Sequence, residues 1–447
     1  MPGTYVSGGA KDPTAARSLD RVVGVGGLAL LAINAIVGAG IFGLPGLTAQ
    51  LLGAASLLAY LIVAVLMLLV GLCFAEVGSR VATAGGLYGY AHASFGPVVA
   101  GIAGTLMWTA ECVAPSAAVA NLMVDTLASL VPALGGSAKR VIIIVAVYAV
   151  FAVVNIRGTR HGSRLSGLLC FVKLAPLVAL VAVGLLSVHG ANFILSGAPP
   201  PKKLGEACVL VFFTFMGVES ALTVSGEVIN PARTVPRAIA LALTSVAILF
   251  IGQQLVAQGV LGAELAGLQS PLINVAAVVF GTWGRRVIVV AILLSVGGFL
   301  AADLVSSPRI LYALADQGQL PRALATVSRK FGTPAAAILS YSVLCALFAC
   351  SGSFRTLVIV ASSGTLVLYL ICCLGLIRLR ARNVAMDGTP FRAPGGRFVP
   401  LLASAIIVWM LAMLQWRELA AAFLIIVVSG IGYRFLDRRI AAYQPRV

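Results

Sequence analysis

The sequence predicts an all-α polytopic membrane protein of twelve transmembrane helices, with the first and the sixth of them broken. Three observations carry that prediction. The 447 residues are 60% hydrophobic and only 10% charged, with a mean hydropathy of +1.05, whereas soluble domains carry roughly 25% charged residues. The apolar residues gather into stretches long enough to cross a bilayer as helices, near 22–50, 51–78, 94–130, 139–157, 164–188, 205–228, 236–262, 284–312, 334–352, 355–378, 398–416 and 419–435. Two of these stretches are interrupted, the first by Gly38-Ala39-Gly40 and the sixth by Met216-Gly217-Val218-Glu219.

The interruptions matter because a spanning helix hides its backbone polar groups by bonding them internally. Irregular backbone at membrane depth survives only where it lines a cavity or is buried in protein. Glycine is also common in membrane helices for close packing, and this chain has 48. Position decides between the two readings, since each break heads a group of five spans. Paired Gly-interrupted spans in two halves point to the binding site of a secondary transporter. Residues 22–188 and 205–378 then form two repeats, and because five is odd the second starts from the opposite side, giving a five-plus-five inverted repeat. The expected organisation is an N-terminal tail over 1–21, a ten-helix core over 22–378, a loop over 379–397, and helices 11–12 with the C-terminus over 398–447.

The net charge of +17 is distributed as a topology signal. Of the 31 Lys and Arg residues, 22 fall on the side of the two termini, eight on the other, and Lys173 alone inside a span. The excess of positive charge in cytoplasmic loops places both termini in the cytoplasm of a cell-membrane protein. That distribution also argues against a nucleic-acid partner, which calls for a clustered basic patch. The eight cysteines lie in or beside apolar spans without a spaced CxxC pair, so neither a disulfide framework nor a metal site is expected. The first twenty residues lack an apolar core before a cleavage site, and no cleaved signal peptide is expected.

Gly38-Ala-Gly-Ile-Phe-Gly43 matches GxGxxG letter for letter. The dinucleotide fingerprint needs a preceding strand and an acidic residue about 20 positions on, and this run lies within a membrane span with Glu76 well outside that spacing. No cofactor follows. In a membrane the same glycines open the helix and leave free N–H groups at the start of a half-helix, where the positive dipole end favours a carboxylate. Unwound carbonyls such as that of Ile36 accept from an ammonium, so a zwitterion fits the break at both ends. No catalytic triad, metal cluster or phosphate loop stands in a polar context, and an enzyme is not expected.

At these residues the sequence resembles the amino acid–polyamine–organocation (APC) superfamily. Ala39-Gly40-Ile41-Phe42 with Pro45 is similar to its first-helix motif, and Glu76 followed by Ala84-Gly85-Gly86-Leu87-Tyr88-Gly89-Tyr90 to its signature between the second and third spans. Phe215-Met-Gly-Val-Glu-Ser220, with Glu227, Asn230-Pro231 and Pro236, resembles its sixth helix and following loop. Ser307-Pro308-Arg309, Leu311-Tyr312-Ala313 and Asp316-Gln-Gly-Gln-Leu-Pro321 resemble its eighth-helix exit. The resemblance covers spans 1–8 in order. It implies the LeuT-like fold of this superfamily, with two trailing helices, and alternating-access transport of amino acids or their amines.

Carried over by the resemblance, Ile36, Gly38, Ala39, Gly40 and Ile41 hold the substrate's amino and carboxylate groups. Phe213 is the aromatic gate, expected to share a helix face with Gly217 at i, i+4. Lys173 matches the fifth-helix lysine that sodium-independent members carry where sodium-coupled relatives bind a cation. An ammonium costs at least about 2.5 kcal/mol at a helix centre, so a lysine there calls for a function; the resemblance implies a coupling group that holds helix-1 carbonyls, with a purely structural tether as the alternative. Glu219 belongs to the motif as a coupling or gating carboxylate, with a structural hydrogen-bonding role as the alternative. Glu111 falls where family members contact substrate. Asp303, six residues before Arg309, falls near where some relatives place an aromatic and so departs from their pattern. Both acids are substrate-contact candidates, with a structural network as the alternative. The expected function is a sodium-independent amino acid permease, proton-coupled or exchanging, working as a monomer or homodimer with protons and the lipid bilayer as partners. A polyamine or cationic amino acid antiporter is the second reading, and a non-transporting substrate sensor the third.

In a cysteine-free background, a cysteine at Ser7 or Gln444 should stay unlabelled when an impermeant thiol reagent is applied to intact cells. Labelling from outside reverses the orientation.

Overall fold

The computed structural model describes residues 23–81, 86–134, 136–157, 162–195, 197–219, 228–316, 320–328, 331–384 and 390–416, with positions 418, 420 and 427, the side chains of 162–172, 231 and 313 excepted. The expected N-terminal tail, the motif residues Ser220 and Glu227, and nearly all of the expected twelfth span lie outside the described residues.

Within those residues the chain is all-helical, the one β-bridge being Val23 with Val228. The first span is two helices, α1 (Val25–Ile36) and α2 (Gly40–Leu52), and a short turn at Gly53–Ala55 leads into α3 (Ser56–Arg80). The connection that follows carries its own helix, α4 (Gly86–Phe95), and Gly96 at φ 86 separates it from α5 (Pro97–Leu106). After α5 the helix widens into a π segment, Met107–Val113, before α6 (Ala114–Leu130). Pro115 explains the widening: it has no N–H to offer the carbonyl four residues back, and its ring crowds that turn. The chain takes up the slack with a wider turn, in which Ala114 N donates to Thr109 O five residues back.

The remaining helices are α7 (Ser137–Ile156), α8 (Gly162–Gly184), α9 (Pro201–Phe215), α10 (Pro231–Leu261), α11 (Pro271–Asp316), α12 (Ala335–Ser351), α13 (Phe354–Ala381) and α14 (Phe398–Ala412). Gly281, at φ 67, kinks α11, so residues 271–280 form a separate helical stretch before the expected eighth span. Six helical runs among the described residues are long and apolar enough to cross a membrane. The shorter apolar helices include Val25–Ile36, Ala335–Ser351 and Phe398–Ala412. This is a multi-pass membrane protein.

Burial ranks the helices by position. The apolar window of α13 is 72% buried, against 17% for α7, so α13 runs through the centre while α7 presents most of its surface outward. Glycines set the closest approaches, because a helix in lipid gains little from burying apolar surface and much from tight packing. A Cβ at Gly71 of α3 would stand 2.5 Å from Leu243 Cδ1 and 3.0 Å from Ile239 Cγ2 of α10. One at Gly364 of α13 would stand 2.5 Å from Ala110 Cβ in the π segment.

At one end of the bundle a buried ionic knot replaces apolar packing. The Glu76 carboxylate, fully buried, accepts from Arg80 Nε at 2.9 Å and Nη2 at 2.8 Å. It also accepts from Arg380 Nε at 2.8 Å and Nη2 at 2.5 Å, and from Ala393 N at 2.8 Å. Arg80 Nη1 in turn donates to Val384 O at 3.1 Å. The knot fastens α3, α13 and the segment before α14 together, and its hydrogen bonds offset the cost of burying the charges.

Gly71→Ile should overpack the α3–α10 contact by about 1–3 kcal/mol. Thermal unfolding in detergent should show a lower Tm, and an unchanged Tm would mean that the two helices are not held this closely.

Candidate functional site

The first break is a loss of three helical residues. Val37, with φ −74 and ψ 84, leaves the helix, and Gly38 N turns back to Ile36 O at 2.8 Å. Regular helix resumes at Gly40. In an unbroken helix Gly38 N would donate to Asn34 O, and Ile41 N to Val37 O. Lys173 supplies the missing donors: its Nζ donates to Asn34 O and to Val37 O, each at 2.7 Å. On the other side of the gap α2 starts with N–H groups that have no intrahelical partner. Room remains beside them, since a Cβ at Gly38 would meet only Ile36 O, at 3.8 Å.

The sixth-span break lies directly against the first. Helix α9 ends at Phe215, Met216 is extended with ψ 149, and Gly217 adopts φ 112, a conformation that favours glycine. A Cβ at Gly217 would fall 2.8 Å from Ala35 O and 2.9 Å from Ala35 C, so the sixth-span break packs backbone to backbone against the last turn of α1, which leads into the first break. This corrects the expectation that Phe213 and Gly217 share a helix face at i, i+4, because the helix ends between them. Phe213 instead reaches the first break by another contact: a Cβ at Gly40 would stand 3.0 Å from Phe213 Cδ1.

The three intramembrane acids have different surroundings. Glu219 Oε2 accepts from Gly217 N at 3.2 Å and from Tyr369 OH at 2.5 Å, which ties the sixth-span break to α13. Glu111, on the π segment, lies within electrostatic range of Glu219, and its Oε1 is buried with no hydrogen-bond partner among the described residues. Asp303 is occupied by hydroxyls. It accepts from Ser307 Oγ at 2.6 Å on one oxygen and from Tyr341 OH at 3.0 and 2.9 Å on its two oxygens, and neither partner belongs to a break. No His, Cys, Asp and Glu cluster suited to a metal ion occurs among the described residues.

The structure thus gathers Ile36, Gly38, Ala39, Gly40, Ile41, Phe213 and Gly217 at one junction, with Lys173 bonded to its helix-1 side. Glu219 stands at the edge of that junction with Glu111 in electrostatic range, while Asp303 is bonded into a contact between α11 and α12. Sequence reasoning passed over Tyr369 and Tyr341. Their signal was a tyrosine hydroxyl in the middle of an apolar run, which needs a polar partner when buried.

The amino acid permease family model matches residues 24–436. The chain belongs to that family. The superfamily resemblance read from its motifs therefore extends over nearly the whole sequence. Among relatives, it is 25% identical to a branched-chain amino acid permease of Bacillus subtilis strain 168, over 95% of this chain and 94% of the relative. It is 24% identical to a methylthioribose transporter of the same organism over 95% of each chain. Identity reaches 30% with its serine/threonine exchanger, over 71% of this chain and 73% of the exchanger.

Proposed function

We propose that the chain is a secondary active transporter of amino acids. It works by alternating access without sodium, coupled to protons or to exchange, and carries out no enzymatic step. In this reading twelve helices form a five-plus-five inverted repeat with two trailing helices in the cell membrane, both termini are cytoplasmic, and the working unit is a monomer or a homodimer. The observation that carries the proposal is the meeting of two helix breaks with Lys173 bonded to one of them. The α2 N-terminus supplies donors and positive dipole for a carboxylate, and the carbonyl of Ile36 and its neighbours supplies acceptors for an amino group. The sodium-free reading is supported by the Lys173 ammonium, which occupies Asn34 O and Val37 O, carbonyls that a cation would otherwise use.

In this mechanism Lys173 ties the coupling ion to the shape of helix 1. Protonated, it closes the carbonyls left by the break. Deprotonated, it donates fewer bonds and carries no charge, and the break is free to rearrange. Glu219, held by Gly217 N and Tyr369 OH, is the matching coupling group on the sixth span. The relatives are named for branched-chain amino acids, for serine and threonine, and for methylthioribose, which is not an amino acid, so kinship supports transport of a small solute and the amino acid reading rests on the junction's fit to a zwitterion.

A second reading rests on Glu111. Its Oε1, without a hydrogen-bond partner among the described residues and in electrostatic range of Glu219, offers a protonated amine a place to bind, which favours a cationic amino acid or amine. Desolvating a carboxylate without a partner is costly, and a cationic substrate would lower that cost.

Proteoliposome uptake of a panel of radiolabelled amino acids, with and without a pH gradient, tests transport itself. Wild type should accumulate substrate in sodium-free buffer, and Lys173→Ala should lose pH-driven accumulation. Full accumulation by that variant, or a sodium requirement in wild type, overturns the coupling assignment, and binding without turnover would identify a sensor. Glu111→Gln separates the substrate classes. If the substrate is cationic, competition binding of arginine, lysine or a diamine should weaken by about 1–3 kcal/mol while alanine and leucine are unaffected. If it is neutral, affinity should hold and only the pH optimum should move.

A further inference from the structure

A cavity of about 500 Å³ opens at the end of the bundle where α13 begins, with Gly43, Asp125, Arg140, Gln269, Phe354 and Arg355 in its lining. Phe354 lies in that lining and Phe213 does not, although the two rings pack edge to face with centroids 6.3 Å apart and planes at 90°. Both are nearly closed off, at 7% and 8% exposure. Each ring also covers a glycine of the broken first span. Phe213 lies over Gly40, and a Cβ at Gly43 would stand 2.9 Å from Phe354 Cε1. Phe354 therefore stands between the cavity and the ring that covers the helix break.

Its position is fixed from both sides. Ser353 caps α13, accepting from Thr356 N at 3.3 Å, which sets the first turn that carries Phe354. The next residue, Arg355, pairs with Glu206 of α9, the helix that carries Phe213. The ion pair and the two rings thus join α13 to α9 beside the cavity, and Gly43 supplies the hollow into which Phe354 fits.

We propose that Phe354 is a second gate residue. It closes the vestibule above Phe213, the Arg355–Glu206 pair positions it, and it must swing off Gly43 for a ligand to pass between the vestibule and the break. The proposal rests on the reading of Phe213 as the ring over the site and adds to it a barrier contributed by α13.

Accessibility of a cysteine below the rings tests it without relying on transport. Gly38→Cys, in a cysteine-free background, is the reporter, because a Cβ there meets only Ile36 O, at 3.8 Å. Gln269→Cys, in the cavity lining, marks the side from which the vestibule is reached. Both are treated with an impermeant methanethiosulfonate reagent in intact cells and in inverted vesicles. From the side that labels the marker, Phe354→Ala should speed modification of the reporter by about two- to tenfold, the population change that losing one aromatic pair gives, and leave the marker's rate unchanged. Phe354→Leu should give an intermediate rate and serves if the alanine variant fails to fold. Gly43→Ala, whose methyl pushes the ring away, should also speed modification, but not further when Phe354 is already alanine. Two barriers that act independently would add instead. An unchanged reporter rate in both Phe354 variants, or additive effects of Gly43→Ala and Phe354→Ala, overturns the gate. A marker that labels only from the cytoplasmic side overturns the proposed orientation and leaves the gate to be judged by the same rates.

Discussion

Two carbonyl groups, those of Asn34 and Val37, govern this structure. The break in the first span removes their helical donors, and the hydrocarbon region has no water to replace them. Lys173 on α8 reaches both at 2.7 Å. The arrangement makes each feature depend on the other. The broken backbone needs a strong external donor to exist at that depth, and an ammonium at that depth needs acceptors with concentrated negative potential. A helix that ran unbroken through residues 34–41 would leave Lys173 without these two acceptors, and loss of the lysine would leave the carbonyls bare. The junction therefore exists only as a set, which is why a single titratable group there can influence the shape of the whole first span.

The second break is held by close approach. Gly217 can take φ 112 and lie against Ala35 because it has no side chain, and Glu219 folds back to accept its N–H. Tyr369 then links that carboxylate to α13, the most buried of the long helices. The two halves of the junction differ in kind. One is held by an ammonium, the other by a carboxylate bonded to a buried phenol.

Much of this was legible in the sequence because membrane depth punishes irregularity so heavily. Gly38-Ala39-Gly40 and Gly217 could be read as breaks, and a lone Lys173 in an apolar run could be read as having acceptors to serve. What local pattern did not show was tertiary. The i, i+4 pairing of Phe213 with Gly217 assumed a helix that ends at Phe215, and nothing in Phe215-Met216-Gly217 says which peptide turns first. Asp303 read as a substrate contact or a member of a structural network, and the partners of its oxygens, Ser307 one turn on and Tyr341 on another helix, were not visible in local pattern. Only the fold puts Tyr341 there. The π segment was within reach, since Pro115 deprives the turn before it of a donor, but which residues the wider turn would re-aim was not.

The contrast between Asp303 and Glu111 shows how satisfaction separates architecture from chemistry in a membrane protein. Both are acids inside spans, and composition alone treats them alike. Asp303 receives hydroxyl donors on both oxygens, so its charge has partners before any ligand arrives, and it joins α11 to α12 as part of the frame. Glu111 has an oxygen with no protein partner among the described residues, beside a second carboxylate and on a helical turn widened by Pro115. A buried group of that kind is costly until something donates to it. In the proposed reading that donor is a proton or an ammonium carried by the substrate, and either one couples what enters the junction to the charge it holds.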